Sequence, residues 1–342
     1  MESKGIYTLA NDAIFDQLVA LLNSIEVNVS PNIPGCGIPY NDRLEKVKQE
    51  IGTRENVTLF ENKSALEAWH KFVNELWQAH SRAKDSKKSR PGWYQGFVHR
   101  KFAAFDGEFE KFVFFDGDSL AMKPLDDVFE KLDEYDLVFN DWEHKKPREV
   151  TELDLSVIEK ITGLTEDEIR PKLHCDSFFG SKKGLFDADK LEELKKRAIE
   201  RGEIEWVSGK SWWSNSALFS YMTFPENPKM FNFTRSPNGQ ERTGNSADAD
   251  PFVNIDNVLY NEEGLKPIHR IHYMNYSSAD FARLCRGEDV DIRYKDIFLH
   301  YRFLKQPELK PKELKPPSFW EKIKRKSQKV MKKFRLLKDW EK

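Results

Sequence analysis

At 342 residues the chain can hold two average domains or one large α/β domain, and either buries a proper core. Its 25 Phe, 9 Trp and 10 Tyr exclude disorder throughout, and no apolar run reaches transmembrane length. The net charge of −2 hides an asymmetry: residues 318–342 carry ten Lys/Arg against three Asp/Glu, leaving about −9 on the remainder. No apolar leader opens the chain. Cys36, Cys175 and Cys285 are odd in number and far apart, which predicts reduced thiols and a cytoplasmic location rather than a disulfide framework or zinc site.

Residues 5–10 (GIYTLA) predict a first strand that ends at Asn11-Asp12. Residues 13–24 then predict a helix with Ile14, Leu18, Leu21 and Leu22 on one face. Residues 31–42 are too rich in Pro and Gly for a regular element, apart from a short edge strand at 37–40. A helix at 43–51, a strand at 57–60 and a long amphipathic helix at 65–80 follow. Residues 81–92 form a basic connection, and 93–105 predict the helix that feeds the central strand, with His99, Arg100 and Lys101 on it.

The centre of the chain is residues 111–129, KFVFFDGDSLAMKPLDDVF. Phe112-Val-Phe-Phe115 reads as a short, fully buried strand that stops at Asp116-Gly117-Asp118. Ligands of open α/β sheets sit beyond the carboxyl ends of strands. A hard divalent cation wants oxygen ligands there and would neutralise a bound diphosphate. The spacing alone is weak: Asp187/Asp189, Asp248/Asp250 and Asp289/Asp291 repeat it, but none follows a comparable strand. The bland alternative is a turn capped by its own carboxylates.

Beyond it, a helix starts at Asp126-Asp127, and 135–140 predict a strand ending beside Asp141. A helical insertion spans 151–173, with a capping box of Thr165 and Glu168. Residues 175–186 return to the sheet, 188–201 are a charged helix, and 211–224 an apolar helix with polar rims. After a polar loop at 237–251, residues 265–273 (LKPIHRIHY) predict the last strand of the core. Alternating strands and helices predict a mixed, mostly parallel sheet in one domain over residues 1–305. A Pro-rich linker (306–317) leads to an amphipathic helix (318–342) whose Lys and Arg suit an anionic membrane surface, peripheral on its inner face. The other reading of that helix is a basic face on a segment packed against the core. It lacks base-stacking platforms, so no nucleic-acid partner is expected.

Three separated stretches resemble one family, the GT-A-fold glycosyltransferases of the family 8 type, such as glycogenin and bacterial lipooligosaccharide galactosyltransferases. Tyr7-Thr-Leu-Ala-Asn-Asp-Ala-Ile-Phe15 resembles the family's opening strand; Phe115-Asp-Gly-Asp-Ser-Leu, then Leu125-Asp-Asp-Val-Phe129, its D-x-D strand and helix start; Ile271-His-Tyr-Met-Asn275 its late histidine segment. The resemblance implies a nucleotide-diphospho-sugar transferase fold and a hexosyltransferase that moves a sugar from a UDP-sugar to a glycan or lipid-linked acceptor. It implies Mn²⁺, or Mg²⁺, held by Asp116, Asp118 and His272, with His269 as the competing histidine. Leu9, Ala10, Asn11 and Phe15 would meet the nucleoside, Asp116 also the ribose, and Arg100 or Lys101 the diphosphate or sugar. Asp176, Asn215 and Asp141 are the candidates for the sugar hydroxyls or reacting face.

Departures fall on the acceptor side. Ser214-Asn215 stands where the family has Asp-Gln, no glycine follows Asp176-Ser177, and the K-P-W ending is missing after His272. The family retains anomeric configuration, yet no residue stands out as a nucleophile. Two rivals remain: a catalytically degenerate binding protein of the same fold at a membrane surface, and a sugar nucleotidyltransferase. The latter expects a Gly-rich loop with a lysine after strand one, which residues 10–13 do not supply.

Overall fold

A computed structural model describes residues 2–84, 97–146, 149–207, 214–235, 244–248, 251–262 and 265–317. The expected tail helix at 318–342 and the start of the helix expected at 93–105 lie outside those residues.

In chain order the elements are β1 (Lys4–Ala10), α1 (Phe15–Asn28), β2 (Gly35–Pro39), α2 (Glu45–Ile51), β3 (Val57–Leu59) and α3 (Lys63–Ala79). Next come β4 (Lys111–Phe115), β5 (Ser119–Ala121), α4 (Asp126–Glu134), β6 (Leu137–Phe139) and the small hairpin β7 (Glu149–Val150) and β8 (Leu153–Asp154). Helices α5 (Leu155–Thr162) and α6 (Glu166–Ile169) lead to β9 (Phe178–Lys182), α7 (Ala188–Glu200), α8 (Asn215–Glu226) and β10 (Met230–Asn232). The last part holds β11 (Gly244–Ser246), β12 (Phe252–Ile255), β13 (Val258–Asn261), β14 (Arg270–His272), α9 (Ser278–Cys285) and α10 (Lys295–Arg302).

Seven strands form one sheet in the order β10-β6-β9-β4-β1-β2-β3. Four of its six pairings are parallel; β9 is antiparallel to both β4 and β6. The sheet is thus mixed and mostly parallel, as expected. Every residue of β4 is buried, which its unbroken apolar run requires of a strand covered on both faces. α3 covers one face with Trp69, Phe72, Val73, Leu76 and Trp77, at about 1.5–3 kcal/mol per large side chain removed from water.

Three expectations need correction. β2 is interior, paired with β1 and β3; its only proline, Pro39, is the last residue, where no further ladder bond is needed. The described part of the helix before β4 is a 3₁₀ helix, Val98–Asp106. Nine residues is long for that form, and its three-residue turn stacks Val98, Lys101 and Ala104 on one side. The strand at 270–272 is not in the main sheet: it lies in a second, three-stranded sheet ordered β11-β14-β5.

That second sheet explains how the ends of the chain meet. β5 leaves the Asp-Gly-Asp turn and pairs antiparallel with β14, His272 opposite Ser119 and Arg270 opposite Ala121. The Tyr273 amide then donates to the Asp118 carbonyl at 3.0 Å. Gly117 is demanded by close approach, because a Cβ there would lie 2.6 Å from Ile14 Cδ1 and 3.0 Å from the Leu9 carbonyl oxygen. Further on, residues 307–309 form a 3₁₀ turn, and Lys315 exchanges backbone hydrogen bonds with Gly287 and Asp289.

Candidate active site

The order β3-β2-β1-β4 reverses direction at β1, so the crevice beyond the carboxyl ends of β1 and β4 is the switch point of the sheet. Asn11 follows β1 directly and Asp116 follows β4 directly, so the two segments picked from sequence open on one crevice.

Asp116, Asp118 and His272 offer ligand atoms that all lie within 4.8 Å of one another. His272 Nε2 is 3.1 Å from Asp118 Oδ1 and 3.8 Å from Asp116 Oδ2. Two carboxylates and an imidazole, the carboxylates still partly open to solvent, fit a divalent cation of the Mn²⁺ kind. The competing His269 is elsewhere: fully buried, with Nε2 2.9 Å from the Asp127 carboxylate at the start of α4. Burial pushes the Asp127 carboxyl up, but His269 and Lys123 prevail and hold it at about 2. Burial likewise opposes ionisation of Asp118, and the neighbouring His272 outweighs it, so Asp118 stays below the usual carboxylate range.

Lys101 and Arg100 part company. The Lys101 ammonium is buried to 1 % exposure and donates to Asp116 Oδ1 and Asp176 Oδ2, both at 2.8 Å. Burial works against its charge, but the two carboxylates win and raise its pKa above that of a free lysine. Asp176, also buried, is held low by Lys101 and accepts a hydrogen bond from the Ser216 hydroxyl. The Arg100 guanidinium instead donates to the carbonyls of Pro39 and Tyr40 and lies 4.2 Å from the Phe97 ring centre.

The remaining predicted residues ring this centre unevenly. Asn215 opens α8, one residue before Ser216, while the Ser214 side chain caps that helix. Asp141 accepts from the amides of Glu143 and Cys175, each at 3.0 Å. Burial, reinforced by Glu143, raises its pKa to about 7. Asn11 caps the 3₁₀ turn after β1 through the amides of Ala13 and Ile14. Leu9 and Ala10 are buried, and the Ala10 carbonyl is taken by the Tyr40 amide. Ile14 packs toward Gly117; Phe15 turns to Lys46 and Arg302, whose cationic groups lie 5.9 and 5.5 Å from its ring centre. A cavity of about 520 Å³ beside Tyr7, Phe60 and Phe109 is lined by none of the predicted site residues.

Sequence reasoning missed Arg270. The signal was available: it sits two positions before His272 on a strand, hence on the same face.

His174, beside this cluster, supplies a pH dependence. It is stacked on Phe139 at 3.9 Å and hydrogen-bonded to Thr223, and burial lowers its pKa to about 4. The unfolded chain binds this proton near 6.5 and the folded chain does not, so stability falls as pH drops from 6.5 toward 4. The loss is about 3 kcal/mol at 1.36 kcal/mol per unit. Urea midpoints measured across that range should lose one proton's slope in His174→Gln.

No protein-family model and no curated protein sequence matches the chain. Among solved structures it is similar to the bifunctional glycosyltransferase WbbM, with 12 % identity, a TM-score of 0.51, 88 % of this chain covered and 50 % of that one. The chain therefore spans half of that structure. Weaker likenesses are the galactosyltransferase LgtC (10 % identity, TM-score 0.47, 82 % of this chain and 94 % of that one) and mouse xyloside xylosyltransferase 1 (9 %, 0.45, 66 % and 82 %). The fold is of the GT-A type. Among the described residues, no helix is long and apolar enough to cross a membrane.

Proposed function

We propose that the chain is a metal-dependent hexosyltransferase that moves a sugar from a UDP-sugar to a glycan or lipid-linked acceptor. The observation that carries this is the gathering of Asp116, Asp118 and His272 within 4.8 Å at the switch point of a GT-A-type sheet. These three would hold Mn²⁺ (or Mg²⁺), which when bound acts as a Lewis acid on the departing diphosphate. Lys101 fixes Asp116 for that task and ties it to Asp176, so the metal side and the sugar side share one rigid link. Asp176, oriented by Lys101 and Ser216, would accept hydrogen bonds from sugar hydroxyls, with Asn215 near it in sequence at the start of α8. Asp141 positions the Cys175–Ser177 segment through its hydrogen bond to the Cys175 amide. The end of β1 at Leu9, Ala10 and Asn11 would be the nucleoside end, and Phe15 would have to leave its contacts with Lys46 and Arg302 to stack there. The basic segment 318–342 would bring the enzyme to an anionic membrane surface. Loss of sedimentation with anionic vesicles when that segment is removed tests this part.

A second reading, a non-catalytic binding protein, is favoured by one feature: Ser214, in place of the family's acid, is engaged as a helix cap. Calorimetric titration of UDP with and without Mn²⁺ tests the donor site, and Mn²⁺-dependent hydrolysis of UDP-sugars separates an enzyme from a scaffold. UDP binding that ignores Mn²⁺, or no binding, would sink the metal–diphosphate reading. Binding without any turnover would favour the scaffold.

A further inference from the structure

Arg270 is a buried cation whose hydrogen bonds within the described residues are incomplete. Its side chain is 4 % exposed, and Nη2 donates to the Ser177 hydroxyl at 2.8 Å. Nε and Nη1 meet no acceptor, and neither does the Ser119 hydroxyl across the β5–β14 pair. A guanidinium has five N–H donors, and buried donors are rarely left unmatched in a native fold.

The acidic neighbours are each committed elsewhere. The charges of Asp116, Asp118 and Asp141 act on the guanidinium, yet none of these side chains hydrogen-bonds to it. Asp116 is engaged by Lys101, Asp118 by His272, and Asp141 by two backbone amides. Charge adds a second argument. The carboxylates of Asp116, Asp118 and Asp176, with Asp141 titrating at about 7, face two buried cations, Lys101 and Arg270, so the cluster without a metal is short of positive charge. A divalent cation on the triad adds two positive charges close to the guanidinium, and the two repel each other unless an anion lies between them.

We propose that Arg270 takes an oxyanion of the bound donor, offering Nε and Nη1 as a fork to ligand oxygens beside the Asp116–Asp118–His272 triad. This rests on the donor-site reading above. The fork geometry suits a phosphate or a carboxylate, so the oxyanion is either the diphosphate or an acid group on the transferred sugar. Ser177, held by Nη2, couples this contact to the segment that carries Asp176.

The test is calorimetric binding of inorganic pyrophosphate, UDP, UDP-glucose and UDP-glucuronic acid, each with Mn²⁺, to wild type, Arg270→Gln and Arg270→Lys. Thermal unfolding checks that each variant is folded. A loss of about tenfold or more for pyrophosphate and UDP in Arg270→Gln, partly restored by Lys, assigns the diphosphate. Unchanged UDP affinity with a lost preference for UDP-glucuronic acid over UDP-glucose assigns the sugar acid. Equal affinities of wild type and variant for all four overturn the Arg270 role while the donor site stands. If none of the four binds wild type, the donor-site reading fails and takes this one with it. Should Arg270→Gln not fold, the same comparison on Arg270→Lys, which keeps the charge and loses the fork, decides.

Discussion

Asp118→Asn is expected to leave the chain folded and to abolish Mn²⁺-dependent UDP binding. The turn it sits in is held by backbone bonds, Ser119 amide to Asp116 carbonyl and Tyr273 amide to Asp118 carbonyl, which the substitution does not touch. Its side chain meets His272 at 3.1 Å, a distance an amide keeps with little rearrangement. What the amide lacks is the negative charge, in a crevice where Asp116 is already neutralised in part by Lys101. Asp118 is therefore the more available carboxylate for a cation. Lewis-acid stabilisation of a leaving group is worth several kcal/mol, so transfer should slow by about three orders of magnitude or more. Mn²⁺ affinity measured directly, without nucleotide, should fall alongside. Retained Mn²⁺-dependent binding in Asp118→Asn would move the metal off this triad. Asp187→Asn is the matched control: its side chain caps α7 through the Lys190 amide, and asparagine caps a helix as well as aspartate, so stability should change by less than about 1 kcal/mol.

The control also shows what was legible in the sequence. Four Asp-x-Asp triplets are identical as spacing, and only the buried strand before Asp116 marks it out. That mark works because a strand buried on both faces must end at the sheet's edge, where an open α/β fold exposes polar groups. β1, α1, α3, β4 and the capping box at Thr165 were readable for the same kind of reason, namely local periodicity or local hydrogen bonding. The pairing partner of a strand is not local. Residues 270–272 look like a strand in any sheet, and nothing nearby says that they face Ser119–Ala121 across about 150 residues. That pairing decides between His269 and His272, and it is also why Arg270 went unnoticed. The helices α9 and α10 were missed because they follow the last recognisable stretch and are short, eight residues each. The family resemblance located the crevice, while its acceptor side, where the residues depart from the family's pattern, gave the least.

Lys101→Met should have the largest effect on stability. The substitution keeps the length of an unbranched side chain but leaves Asp116 and Asp176 facing each other with no cation between them. Removing one partner from a buried charge cluster costs about 3–5 kcal/mol, because the charges left behind are poorly solvated. In the wild type, Lys101 holds Asp176 below its ordinary pKa, so its contribution is present above the unfolded value and lost as pH falls. Burial already holds the Asp116 carboxyl above its ordinary range with Lys101 beside it, and removing the ammonium pushes both carboxyls further up. In the variant the folded state therefore binds the extra proton more tightly, and stability rises more than in the wild type as pH is lowered from 7 toward 5. Urea midpoints across that range separate the two behaviours, and an equal slope in both would refute the charge argument. Two further readouts follow from the same cluster. Mn²⁺ should stabilise Lys101→Met more than wild type, since a cation on Asp116 replaces part of the missing charge. The double variant Lys101→Met with Asp176→Asn should recover most of the lost stability without recovering transfer. The like-charge pair is gone, but so is the link that holds the sugar-side carboxylate against the metal-side one. Recovery of activity along with stability would mean that Lys101 serves the fold alone.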